Sequence, residues 1–328
     1  FTLIDTQPFY PLHPEINITP CFTKIEPSGN LLNALKSNFL IFRRLRSLLL
    51  KNRVELVVAF MTTANILAIL AGKIIGIPVI ISERNNPKKQ DIAGYWKVLR
   101  LMTYPFADFL VVQTAEIRQY FTWKISKKRL HILPNPISPE LTQNRISGVK
   151  KQNIILSIGS LTKQKAQHVL VKAFALTKAE NWQLVIVGEG PIRVKLEKLI
   201  QDLGIQGNVS LPGEIKDIYK MYSKSKIFAF SSLYEGFPNA LIESMHFGLP
   251  CISTNCPTGP SELINDSKNG YLVPMNDEKA MAEKLSVLMN DENKRKSFGD
   301  KAIKTVEIFE IKNVVVQWKA LIENCISN

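Results

Sequence analysis

The feature that most limits what this 328-residue chain can fold into is a rhythm: short runs of β-branched and other apolar residues alternate with helical stretches. Such alternation argues for an α/β class with parallel sheets. A first series reads as strands over 1–4, 55–60, 78–82, 109–113 and 129–133, with helices over 31–51, 64–75, 92–104 and 114–122. Leu133-Pro134-Asn135-Pro136-Ile137-Ser138-Pro139 follows, three prolines in seven residues. Proline fixes its own φ and biases its predecessor towards extended geometry, so this segment reads as a stiff crossing. After a polar stretch, Thr142 to Asn153, a second series begins. Its strands fall over 154–158, 184–187, 209–211, 227–230 and 250–253, and its helices over 166–178, 191–203, 215–223 and 238–247. The tail, 277–324, is largely helical in pattern. Two doubly wound domains, 1–136 and 137–328, are expected to face each other across a cleft, with the last helix placed to cross back to the first.

Apolar residues make up 45% and charged residues 21%, which excludes a disordered or fibrous chain. The four cysteines form no C-x-x-C and the four histidines lie far apart, so neither a disulfide framework nor a local metal motif is indicated. A reducing, cytoplasmic setting fits that usage. No apolar run reaches the ~18 residues of a membrane span, and no signal peptide opens the chain. Phe1 instead begins within a strand pattern, so a strand–loop–helix of roughly 30–40 residues is expected upstream.

The net charge is +14, with +9 over residues 1–140 (18 basic against 9 acidic) and +5 over 141–328 (24 against 19). Within Leu35 to Arg53, Leu35, Phe39, Phe42, Leu45 and Leu49 recur at helical spacing among Arg43, Arg44, Arg46 and Lys51. Such a helix either lies on anionic lipid or packs its stripe on a sheet. No basic patch interleaved with aromatics marks a nucleic-acid module.

Ligands of open α/β sheets bind outside the carboxyl ends of the strands, which directs attention to three loops. Gly159-Ser160-Leu161-Thr162-Lys163-Gln164-Lys165 precedes a helix and fits a phosphate cradle or a solvated loop; it is not a P-loop. Gly188-Glu189-Gly190-Pro191 lacks the third glycine of a dinucleotide fingerprint and reads as a tight turn. The third is Ser231 to Met245, in which a glycine loop enters a helix near Pro238 that stops at Gly248. Glu235 precedes that helix and Glu243 lies within it. The pair suits either the diols of a sugar and a ribose, beside a helix start that favours phosphate, or a cap and a solvated carboxylate.

Glu235-Gly236-Phe237-Pro238-Asn239-Ala240-Leu241-Ile242-Glu243, with Gly248-Leu249-Pro250 behind it, resembles the E-x7-E signature of retaining glycosyltransferases of family 4, which have the GT-B fold. The resemblance spans most of the chain. Ala107-Asp108 to Gln113-Thr114, Pro134-Asn135-Pro136, Gly159 to Lys165, Gly188 to Pro191 and Gly259-Pro260-Ser261-Glu262 fall in the family's order. Ile81 to Pro87 and Cys256 to Pro260 are similar to bacterial transferases that build polysaccharides or lipid-linked oligosaccharides.

The resemblance implies an acceptor-binding first domain, truncated at its start, and a second domain that binds a nucleotide sugar. Glu235 would hold the donor sugar's hydroxyls and Glu243 the ribose diol. Lys165 would neutralise the diphosphate, in a loop that also carries Ser160. Gly236, Phe237, Pro238, Asn239, Ala240 and Leu241 would surround the donor, their backbone N–H groups meeting sugar and phosphates. Gly213 and Ile215 would lie near the base, and Arg84 and Asn85 would face the acceptor. Ser160 stands where the family usually has arginine, and Ala166 where it usually has glycine. The family's first strand, Gly-rich loop and following helix are not found.

The implied reaction moves a hexosyl or N-acetylhexosaminyl group from a nucleotide sugar, UDP-linked by expectation, to a glycan or polyprenyl-diphosphate-linked acceptor, with retention. No Asp-x-Asp occurs, so neither a metal nor a cofactor is expected beyond the nucleotide-sugar substrate. An anionic membrane surface is the expected partner, on the inner face of the cell membrane, and nucleic acid is not. A non-catalytic sugar-nucleotide-binding homologue and a GT-B nucleotide-sugar epimerase remain as alternatives.

Overall fold

The computed structural model describes residues 1–5, 12–22, 31–145 and 148–327. The N-terminal half contains β1 (Thr2–Ile4), β2 (Pro20–Phe22), α1 (Leu31–Lys51), β3 (Val57–Phe60), α2 (Thr62–Ile74), β4 (Val79–Glu83), α3 (Gly94–Thr103), β5 (Phe109–Val112), α4 (Ala115–Phe121), β6 (Leu130–Ile132) and α5 (Pro139–Gln143). The C-terminal half contains β7 (Ile154–Ile158), α6 (Gln167–Thr177), β8 (Gln183–Val187), α7 (Arg193–Asp202), β9 (Val209–Gly213), α8 (Ile218–Lys224), β10 (Ile227–Phe230), α9 (Asn239–His246), β11 (Cys251–Thr254), α10 (Pro260–Leu263), β12 (Gly270–Val273), α11 (Glu278–Asn290), α12 (Glu292–Val306) and α13 (Ile311–Ser327). Among the described residues every strand pair is parallel. The larger sheet runs β12-β11-β10-β7-β8-β9 and the smaller β3-β4-β5-β6, while β1 and β2 pair with each other.

The inner strands of the larger sheet are buried on both faces, and β10 reads as an unbroken apolar run, whereas the edge strand β9 alternates, with Ser210 and Pro212 exposed. Successive side chains nevertheless go to opposite faces. Ile155, Ile227 and Ala229 join the core under α6, α7 and α11, whereas Leu156, Phe228 and Phe230 join the core under α8, α9 and α12. The smaller sheet is built likewise. Val79, Ile81, Leu110 and Val112 face α2 and α4, and Ile80 and Val111 face the other way. That second face is covered by α13 from the far end of the chain, through Leu321 and Cys325.

The helices and strands expected from the sequence recur with small shifts, and the differences have physical causes. Pro139 opens α5 at its first turn, so the proline-rich crossing ends in a helix start. The helix expected over 215–223 begins at Ile218, and strand β9 continues to Gly213. β12 has four residues in an Asn/Asp/Ser/Gly-rich neighbourhood and no period of its own; pairing with β11 makes it a strand. The stripe of α1 is rotated from the expected one: Ile41, Leu48 and Leu49 are buried, whereas Phe39 is exposed and Phe42 and Leu45 are half-buried. It packs against α2 and against strand β2. The four cysteines are free and buried.

Candidate active site

The carboxyl ends of β7, β8 and β9 meet through glycines. A Cβ on Gly188 would stand 2.2 Å from Gly159 O, and one on Gly190 would stand 2.3 Å from Leu161 O. Hydrogen bonds lock this approach: Leu161 N donates to Glu189 O (2.8 Å), Ile192 N to Leu161 O (3.2 Å) and Gly188 N to Gly213 O (2.8 Å). The glycines of Gly188-Glu189-Gly190 therefore admit the neighbouring loop's backbone. Gly213 has φ +82 and faces the Glu189 carboxylate, and Ile215 packs on the α8–α9 core.

The 159–165 loop is tied to the loop after β10. Leu233 N donates to Gln164 O, Gln164 Nε2 to Tyr234 O, and Ser231 Oγ to Lys165 O, each at 2.8 Å. The ammonium of Lys165 donates to Glu235 Oε1 at 2.7 Å and lies 5.1 Å from the centre of the Phe230 ring. Glu235 is buried, Lys165 half-buried and Ser160 exposed. Ala166 holds φ 46 and ψ 38, the left-handed conformation that glycine adopts without a Cβ penalty.

Gly236 and Phe237 lead into α9, and Phe237 packs edge-on against Phe309 at 5.8 Å. The expected row of N–H donors is thinner than the sequence reading held. Pro238 has no N–H, and Asn239 and Leu241 direct theirs to Phe237 O and Pro238 O at 3.0 Å, leaving those of Phe237 and Ala240. Glu243 lies two turns on, its Oε2 accepting from Tyr222 Oη at 2.8 Å. Burial pushes its carboxyl up, and the Tyr222 hydrogen bond pulls it back.

The two sheets meet over this loop. Arg84, just after β4, donates to Asn135 Oδ1, and Asn135 Nδ2 donates to Asn239 Oδ1 at 3.0 Å. The Arg84 guanidinium lies 5.0 Å from the centre of the Phe60 ring and 6.0 Å from that of Trp318, and burial lowers it to about 10. Glu116 accepts from Thr258 N at 2.8 Å, and Glu262 from Ala115 N at 3.1 Å, joining α4 to the segment around α10. Between the domains lies a cavity of about 240 Å³, walled by Asn85, Asn86, Lys89, Gln90 and Asp91 on one side and by Gln164, Tyr234, Glu235 and Gly236 on the other. A larger hollow, about 660 Å³, lies at the amino ends of β7, β10 and β11, away from the ends where α/β sheets bind ligands.

Residues 140–305 match the family described as "Glycosyl transferases group 1". The chain is also 33% identical over 323 residues to a Campylobacter jejuni α-1,4-N-acetyl-D-galactosaminyltransferase named for a diNAcBac-PP-undecaprenol-linked glycan. The match covers 96% of this chain and 87% of that protein. The chain belongs to the group 1 glycosyl transferases.

A second C. jejuni relative of this group 1 glycosyltransferase, a 4-α-N-acetylgalactosaminyltransferase, is 30% identical over 299 residues, covering 87% of this chain and 80% of its own. Among solved structures, Anabaena HepE in complex with UDP superposes with a TM-score of 0.77 at 17% identity, covering 87% of this chain and 82% of its own, a likeness of fold. The fold is thus GT-B, two Rossmann-like domains, as the sequence predicts.

Several residues that build the site of the group 1 glycosyltransferase escape a reading of the sequence. Asn135 and Thr258 lie in stretches that carry the resemblance but have no role in that reading, and Glu116 and Trp318 carry no local motif. The fully buried Arg100 is another. It donates to Gln90 Oε1 (3.0 Å) and Pro87 O (3.3 Å), fixing the cavity wall from behind. Beside it Glu83 accepts from Thr62 (2.9 Å) and Tyr104 (2.8 Å), and burial pushes its carboxyl up. Single charges set against apolar residues, Glu83 at the end of β4 and Arg100 within α3, are the signal that could have found this network, since buried charges are rarely left without partners.

Proposed function

We propose that this group 1 glycosyltransferase transfers a hexosyl or N-acetylhexosaminyl group, with retention, from a UDP-linked sugar to a lipid-linked or polysaccharide acceptor. The observation that carries the reading is the Lys165–Glu235 pair, 2.7 Å apart, whose Glu235 lines the interdomain cavity ahead of the helix that bears Glu243. In this reading Glu235 orients the sugar's hydroxyls, Glu243 takes the ribose diol, and Gly213 and Ile215 flank the base. The acceptor hydroxyl attacks the anomeric carbon from the face that the diphosphate leaves. The bond from that carbon to the diphosphate oxygen breaks as the new glycosidic bond forms, and the hydroxyl proton passes to the leaving phosphate. Lys165 and the N–H groups of Phe237 and Ala240 stabilise the charge that develops there, without a metal ion. Arg84 and Asn85 serve the acceptor side.

The acceptor class is supported by the two relatives named for undecaprenol-linked substrates, and the UDP donor by the HepE complex. We place the protein on the inner face of the cell membrane as a peripheral protein, with the exposed Arg43, Arg44 and Arg46 of α1 on anionic lipid. No described helix is long and apolar enough to cross a membrane.

Calorimetry with UDP, GDP and ADP tests the donor site. UDP is expected to bind selectively, and Glu243→Ala to lose at least about tenfold in affinity, as when a hydrogen-bonding carboxylate is removed. Glu235→Ala should retain UDP binding and lose turnover of UDP-sugars; full turnover in that variant would sink the assignment.

A further inference from the structure

We propose that Tyr222 is a positioning residue of the donor site: its hydroxyl hydrogen-bonds the Glu243 carboxylate and turns it to receive the ribose diol. The proposal rests on the reading of Glu243 given above. Tyr222 lies on α8, fully buried, with its ring stacked on Phe247 at 5.2 Å and 24° and tilted against Phe228 at 6.4 Å. Phe247 directly follows α9, so the phenol grips the end of the helix through its ring and the middle of it through its oxygen. That oxygen is 2.8 Å from Glu243 Oε2 and 3.5 Å from Ala240 O. Among the described residues no cation pairs with Glu243, and its Oε1 receives no hydrogen bond from the protein. Glu243 is half-buried, and Oε1 is the oxygen left for a ligand hydroxyl.

A carboxylate taken out of water without a cation depends on hydrogen bonds to keep its charge. Burial favours the protonated form of Glu243, and the Tyr222 hydroxyl is the group that favours the ionised one. The other titratable groups around α9 act at one remove. Cys251 on β11 faces the phenol, Lys151 bears on Cys251, and Arg145 and Glu310 bear on His246. Removing the hydroxyl therefore leaves a carboxyl that keeps its proton to higher pH, and a neutral carboxyl accepts the diol less well.

The test is UDP calorimetry from mildly acidic to mildly alkaline pH on the parent chain, Tyr222→Phe and Glu243→Gln. Tyr222→Phe keeps both ring contacts. It should bind UDP about tenfold more weakly at neutral pH, the worth of a hydrogen bond to a charged group. Its loss of affinity on acidification should also begin at higher pH, whereas Glu243→Gln binds weakly at all pH. A Tyr222→Phe variant with the parent's affinity and acid edge overturns the proposal. Infrared titration of the carboxyl band that Glu243→Gln removes needs no nucleotide: its edge should move to higher pH in Tyr222→Phe, and an unmoved edge also overturns the proposal. If the parent chain does not bind UDP, the donor reading falls, and the infrared titration still decides whether Tyr222 sets the charge of Glu243. Should Tyr222→Phe not fold, site-specific 3-fluorotyrosine at position 222, a more acidic phenol, should move the edge to lower pH, and no movement overturns the proposal.

Discussion

At Gly236 the C-terminal domain meets the backbone of the other: a Cβ built there would stand 2.5 Å from Arg84 O and 3.4 Å from Asn85 Cα. Gly236 is not in the left-handed region, so alanine there strains no dihedral and instead separates two surfaces. Gly236→Ala is expected to leave thermal unfolding near that of the parent while lowering turnover about a hundredfold, the usual effect of misplacing a site by an ångström. An unchanged kcat would show that the approach has no part in transfer. The neighbouring residues differ in how far they could be read in advance. Glu235 and Lys165 stood out by type and spacing, but their contact, across 70 residues of sequence, exists only because β7 and β10 are adjacent. Ala166 was recognisable as a departure from glycine; its φ of 46 supplies the reason that glycine is usual there.

Among the elements, α13 links the two ends of the chain. The sequence reading has the last helix cross back to the first domain, and the structure gives the contacts: Leu321 packs with Ile80, Val111 and Leu133 on the smaller sheet, and Trp318 reaches the Arg84 guanidinium. Leu321→Ala is expected to cost about 2–5 kcal/mol in denaturant unfolding, as for a buried leucine whose site only partly collapses. Val316→Ala, at an exposed position of the same helix, should stay within about 0.5 kcal/mol. Equal costs would mean that α13 does not hold the sheet. Inner strands such as β4, β5 and β10 were legible because both of their faces are buried and their runs are therefore nearly continuous and apolar. α1 was legible as a helix but not in its orientation. Its apolar residues cover more than one face, and packing on α2 and β2 selects which of them are buried.

For the whole molecule, the basic excess concentrates in residues 1–140, and Arg43, Arg44 and Arg46 are exposed on α1. If that surface meets anionic lipid as proposed, binding to phosphatidylglycerol vesicles should weaken steeply as salt shortens the Debye length from about 10 Å towards 3 Å. Replacing the three arginines with glutamate should abolish it. Binding that is indifferent to salt would assign the attachment to apolar contacts instead. Besides the packing of α13 on the smaller sheet, the described residues join the domains through Arg84–Asn135–Asn239, Glu116–Thr258 and Glu262–Ala115, each made by residues distant in sequence.

The amino-acid sequence by itself determined the class of fold, the succession of strands and helices, and the residue types gathered at the strand ends. These follow from local periodicity, proline and glycine, which act over a few bonds. Only the tertiary structure decided that Lys165 and Glu235 pair, that Tyr222 addresses Glu243, and which side chains the last helix sets on the first sheet. Those contacts are set by strand order and by which face of each element is buried, and neither is encoded within any one segment.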